Sequence, residues 1–76
     1  MIHELDTVVL TRDLDEYGLK KGDVGAVVHC YADGEAFEVE FVASNGGTIA
    51  LLILDRSAIR LIGGREVLHV RELIAA

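Results

Sequence analysis

The sequence predicts an all-β fold, a small and strongly bent antiparallel barrel of five strands with a short C-terminal extension. Three observations point there. Short runs rich in β-branched and aromatic residues recur along the chain, several with period-2 alternation. They are separated by glycines grouped with Asp, Asn or Lys, the composition of turns. With 76 residues and 51% hydrophobic content, the chain is long enough to bury one core and too short for two.

The first run, residues 5–12, reads as a strand because Thr7, Val8 and Val9 are β-branched. Residues 13–23 follow as a polar loop, in which mixed charges and two glycines favour irregular backbone over a helix. A second strand, Val24–Tyr31, is expected to place Val24, Ala26, Val28 and Cys30 on one face and Gly25, Val27, His29 and Tyr31 on the other. The Asp33-Gly34 dipeptide then turns the chain into a third strand, Ala36–Val42. Here the alternation is cleanest: Phe37, Val39 and Phe41 point inward, and Glu38 and Glu40 face water. Asn45-Gly46 makes the next tight turn. Residues 48–54 are continuously apolar after Thr48, so neither face of this fourth strand is expected to be left in water. A short turn at residues 55–57 leads to a brief fifth strand over residues 59–62. Gly22, Gly25, Gly34 and Gly46 are the expected structural turn glycines.

Five short strands with tight connections and one long first loop describe an SH3-like barrel over residues 1–62. Residues 63–76 form an extension that packs on the barrel or on a partner. Val67, Leu68, Val70, Leu73 and Ile74 recur at near-helical spacing, while residues 66–70 are equally strand-like by propensity. The expectation is a strand fading into a turn of helix. Those five residues need cover, and they are the candidate interface of a homodimer.

Residues 5–10, the block Gly18-Leu19-Lys20-Lys21-Gly22-Asp23-Val24-Gly25-Ala26-Val27-Val28 and the block Glu35-Ala36-Phe37-Glu38-Val39-Glu40-Phe41 together resemble a family of small bacterial and cyanobacterial proteins. That family is classed as a domain of unknown function. Residues 49–52 and 67–73 are similar to further family features, so the likeness extends over nearly the whole chain. It implies an SH3-like barrel, and it implies no catalytic or cofactor residues. The Gly-Asp-Val-Gly-Ala-Val-Val stretch is also similar, at the level of fold, to small barrels of electron-transfer complexes and to the KOW segment of RNA-binding proteins.

Charge and composition narrow the function classes. Lys and Arg total 7 against 13 Asp and Glu, a formal net charge of −6, which opposes binding to nucleic acid. The single cysteine, Cys30, fits a reducing compartment, and no signal peptide is legible, so a cytoplasmic protein is expected. The longest apolar run, residues 49–54, is far short of the ~20 residues that span a bilayer.

No residue pattern supports chemistry. His29 and Cys30 are adjacent in a strand, so they point to opposite faces and form no thiolate–imidazole pair. Cys30 is expected as a small buried hydrophobe. His3, His29, His69 and Cys30 lack metal-ligand spacing, so no metal and no cofactor are expected. Gly22-x-x-Gly25 opens a strand, so no helix dipole meets an anion there. With no Trp and four aromatics in all, two of them core-facing, an aromatic peptide groove or methyl-lysine cage is poorly supplied.

Interaction is what remains. Asp13, Asp15, Glu16 and Tyr17 of the first loop, with Tyr31, are the candidate partner surface, suited to a basic protein. The expected function is that of a non-enzymatic protein–protein interaction module, such as an acidic antitoxin or immunity-like partner of a neighbouring gene product. The alternative is an accessory docking subunit of an electron-transfer or metabolic enzyme complex.

Overall fold

The computed structural model describes residues 1–73. It is all-β: strands β1 (Thr7–Leu10), β2 (Val24–Tyr31), β3 (Ala36–Val42), β4 (Thr48–Asp55) and β5 (Ile59–Leu61) form one antiparallel sheet in the order β4-β3-β2-β1-β5. The sheet is open, with β4 and β5 as its two edges. A single 3-10 turn at Arg56–Ala58 joins them, started by Asp55, whose carboxylate accepts the Ser57 N–H.

Each strand lies within one or two residues of its expected place. The first is shorter than expected at both ends: Leu5 sits at a positive φ of 74°, although its N–H still donates to Val27 O, and the chain bends at Thr11 and Arg12. Residues 13–23 form the long irregular loop, pinned at its neck by reciprocal backbone hydrogen bonds between Leu14 and Leu19. The β2–β3 hairpin turns at Ala32–Gly34, with Asp33 and Gly34 both at positive φ, as the Asp-Gly signal requires.

The core lies on one face of the bent sheet. Phe37, Val39 and Phe41 point into it as the alternation predicts, and Val8, Leu10, Val27, Leu54, Ala58 and Ile59 close around them. Leu19 of the long loop plugs the end of this cluster and is fully buried.

Two expectations about faces are corrected. In β2 the pairing with β3 shifts between Val27 and His29, a bulge at Val28 that reverses the alternation beyond it. Val24, Ala26 and Val28 therefore do not share a face with Cys30. Cys30 stands opposite Phe37 and packs half-buried against the core, while Val28 is exposed. In β4 one face is left in water after all. Leu51 and Ile53, opposite Glu40 and Glu38, are 52% and 64% exposed, because nothing among the described residues covers that side of an edge strand.

Gly25 is not a turn glycine. It lies inside β2 on the core face, where a Cβ would sit 2.7 Å from Val39 Cγ1 and 2.8 Å from Phe41 Cε1. Its role is close approach of two strands, and Gly22, at φ +94°, makes the bend before β2.

Residues 65–73 form neither strand nor helix, which corrects the expected strand running into a helical turn. The segment leaves β5 through a turn closed by Glu66, whose carboxylate accepts the Gly63 N–H and both guanidinium arms of Arg60. It then runs across the start of β2. Val9 points away from the core, yet it is only 5% exposed. With Val24, Ile62 and Leu68 it lines a small cleft between sheet and tail.

Candidate functional site

The chain's most developed polar cluster sits where the long loop meets the tail. Asp23 is the last loop residue before β2, and its backbone is fixed on both sides: its N–H donates to Lys20 O, and its C=O accepts from Leu10 N–H. This turn points the carboxylate inward, leaving the side chain 11% exposed. Asp23 Oδ2 accepts the Lys20 backbone N–H at 2.8 Å and a bond from Arg71 Nη2. Asp23 Oδ1 accepts from Arg71 Nε at 2.9 Å and lies 3.0 Å from His69 Nε2. Arg71 Nη2 also donates to Gly18 O at 2.9 Å. The guanidinium fork thus grips the carboxylate on two sides, the strongest form of ion pair.

Burial alone pushes the Asp23 carboxyl upward, but the hydrogen bonds from Arg71, the Lys20 N–H and His69 together outweigh it and hold the group below its ordinary range. Reciprocally, its hydrogen bond to Asp23 raises the already high pKa of Arg71. Gly22 completes the corner. A Cβ there would lie 3.0 Å from the His69 ring, so the imidazole rests directly on the glycine backbone.

Beside this clamp opens a groove of about 630 Å³. Leu19, Val24, Phe41 and Ile49 supply its apolar wall, residues 42–44 its far rim, and His69 to Leu73 of the tail its near side. Chemically the site can hold an extended chain by a salt-bridged fork with apolar contacts alongside.

The expected partner surface is only partly assembled. Asp13, Asp15, Glu16 and Tyr17 share the long loop and are exposed. Asp13 accepts the Lys21 N–H, and Asp15 is paired with the Lys20 ammonium, which raises the pKa of that lysine. The loop's negative field is therefore partly neutralised. Tyr31 does not join it: it lies at the opposite end of β2, roughly 20 Å along the strand, edge-on to His29 with ring centroids 4.4 Å apart. Of the candidate interface residues, Val67, Leu68, Val70 and Leu73 are 95%, 60%, 98% and 44% exposed, and Ile74 lies outside the described residues.

His29 and Cys30 face opposite sides of the sheet, as adjacent strand residues must. Each histidine meets a different carboxylate: His3 meets Asp6, His29 meets Glu4, and His69 meets Asp23. Among the described residues no three His, Cys, Asp or Glu side chains converge as a metal site, and no helix is long and apolar enough to cross a membrane.

The apolar residues of the tail dominate its sequence and give no sign of the clamp. The available signal was His69-x-Arg71: two nitrogen-bearing side chains at i and i+2 share one face of an extended segment. Nothing local indicated that their partner stands 46 and 48 residues earlier.

A family model described as a domain of unknown function (DUF4926) matches residues 4–61. The match includes Asp23 and the apolar wall of the groove and stops before the tail, short of the near-complete coverage expected. No curated protein matches the chain, and no solved structure does.

Proposed function

The chain belongs to the DUF4926 family, a domain of unknown function, and we propose that it is a non-enzymatic protein-binding module on an SH3-like frame. The strand order and the 3-10 turn between β4 and β5 support that frame. The observation that carries the binding reading is the groove beside Asp23. An apolar wall open to solvent, next to a partly buried ion pair, is the make-up of a site that orients a ligand by few polar contacts and holds it by burial. The partner is a protein of basic character, drawn by the net charge of −6. The most concrete version is the product of a neighbouring gene, which the chain neutralises or accompanies as a cytoplasmic antitoxin or immunity-like protein would.

Self-association is part of the same reading. Strand β4 is an edge with no charged residue between Thr48 and Leu54, and it exposes Leu51 and Ile53. Uncovered edges of this kind pair with other chains, so a homodimer through the β4 edge is the form this self-association takes, with Leu51 and Ile53 on the adjoining face.

The test is affinity capture from the source organism's lysate at low and moderate salt, read by mass spectrometry. One stoichiometric partner, weakened by salt, is the expected result. Absence of any partner at both salts rejects the reading, and equal capture at both rejects the basic character of the partner.

A further inference from the structure

We propose that the Asp23 corner is a receptor for an extended, arginine-bearing protein segment, and that residues 65–73 of the chain are its resident occupant in cis. This names the partner class for the binding site described above and rests on that reading.

The first argument is the way the tail is held. Among the described residues its one backbone–backbone hydrogen bond is from Glu66 N–H to Gly63 O, inside its own turn. Beyond that turn, polar attachment to the sheet is by the side chains of His69 and Arg71. A segment held without ladder bonds is exchanged for another of the same chemistry at no loss of backbone pairing. Gly63-Gly64 at its root supplies the freedom to swing away.

The second argument is the mismatch between the two sides of the occupant. Its ionic side fits: the guanidinium fork spans Asp23 and Gly18 O, and the imidazole rests on Gly22. Its apolar side does not, since Val67 and Val70 stand in water at 95% and 98% exposure. The groove of about 630 Å³ between the tail and the wall of Leu19, Phe41 and Ile49 stays open although residues 69–73 form its near side, and Leu73 there is 44% exposed. The cis segment satisfies the carboxylate and leaves the apolar surface unfilled.

The third argument is charge and placement. Asp23 needs a cation wherever it comes from, because a buried carboxylate without one is costly. Asp13 adds to the attraction on Arg71, as does the chain's overall acidity. Gly18, Leu19, Gly22, Asp23, Phe41 and Ile49 all lie within the family-matched residues 4–61, and the tail lies beyond them. The receptor therefore lies within the matched residues, and the occupant outside them.

The test uses the full chain, ¹⁵N-labelled, titrated to millimolar with a synthetic peptide of residues 65–73. The wild type is compared with a His69→Ala/Arg71→Ala double variant, whose own tail no longer grips Asp23, and with Asp23→Asn, which keeps an acceptor for the Lys20 N–H. The double variant is expected to bind at least tenfold tighter than the wild type, since the tethered competitor is gone. Asp23→Asn, or a peptide with Arg71 replaced by Ala, is expected to lose at least tenfold. Equal binding by wild type and double variant, or binding that survives Asp23→Asn, overturns the proposal. Should the double variant fail to fold, the wild type decides alone: excess peptide must shift the His69 ring signals to those of a released tail, and unchanged signals overturn the proposal. A lysate partner whose capture ignores Asp23→Asn overturns this inference and leaves the binding reading standing. Peptide exchange with no lysate partner rejects the neighbouring-gene partner and leaves the Asp23 corner a receptor for the chain's own segment, in cis or from a second copy.

Discussion

The sheet and the tail are parts of one chain held by different physics. Between Thr7 and Leu61, strands pair by backbone ladders over a core in which Val8, Val27 and Val39 are wholly buried. Between residues 65 and 73 there is no ladder, and the tail is held by side chains: Arg60 pairs with Glu66, Arg71 with Asp23, His69 hydrogen-bonds Asp23, and Leu68 lies along the cleft beside Val9. Apolar burial involves no titrating group and no charge for salt to screen, whereas ion pairs respond to both pH and ionic strength. The tail should therefore come off before the sheet unfolds, and the chain should show two kinds of sensitivity.

The largest effect belongs to the sheet. Val39→Asp places a lone carboxylate where exposure is 0%, and its cost exceeds the margin of about 5 kcal/mol that a domain this small holds. Loss of the cooperative urea transition, followed by far-ultraviolet circular dichroism, is the expected result; a folded variant would mean the core is not where the structure puts it. Next is Gly25→Ala. Its methyl meets Val39 and Phe41 below 3.0 Å and the Glu40 carbonyl at 3.0 Å, so a loss of about 2 kcal/mol is expected. Both substitutions strike the sheet and carry the tail with it.

Substitutions in the clamp should separate the two regions. Arg71→Ala leaves Asp23 with its Lys20 and His69 bonds and is expected to cost about 1–3 kcal/mol of tail docking. Amide exchange should quicken in residues 65–73 and stay unchanged in β2 and β3. Uniform acceleration through the sheet would show that tail and sheet form one cooperative unit. Acid provides the same cut without mutation. Because the Asp23 carboxyl titrates below its ordinary value of 3.8, its contribution is complete above that pH and is lost as pH falls through the lower native value. Tail release on acidification, absent in Asp23→Asn, is the signature.

The smallest effect is expected at Glu66→Gln. Arg60 and the Gly63 N–H lower the Glu66 carboxyl to about 2, but the pair is exposed, so the urea midpoint should not move measurably. Faster exchange of the Gly63 amide is the one change expected. A midpoint shift comparable to that of Gly25→Ala would mean the turn at residues 63–66 supports the sheet, and the comparison would fail.

Much of the fold was legible because its signals are local. Period-2 alternation marked Phe37, Val39 and Phe41 as core, and Asp33-Gly34 marked the hairpin, without reference to anything distant. The faces of β2 beyond Val27 were not legible, because one bulged residue reverses the parity and its position is set by pairing with β3. Nor was the fate of Leu51 and Ile53, since whether anything packs on the outer face of an antiparallel sheet is decided by the layering of the whole fold. The candidate site divides the same way. The exposed acidic loop is visible in composition, while Tyr31 lies at the wrong end of its strand and Asp23 stands out in the sequence only as the end of a polar loop.

By itself, then, the amino-acid sequence determined a one-core, all-β chain with five strands, their turns and its acidic balance. Each of these follows from side-chain chemistry over a few consecutive residues. Tertiary structure alone decided which apolar residues stay in water, that Gly25 serves packing, and that Asp23 receives Arg71 and His69. Those outcomes depend on groups up to 48 residues apart being brought within hydrogen-bond distance, and burial then forces every charge among them to find a partner.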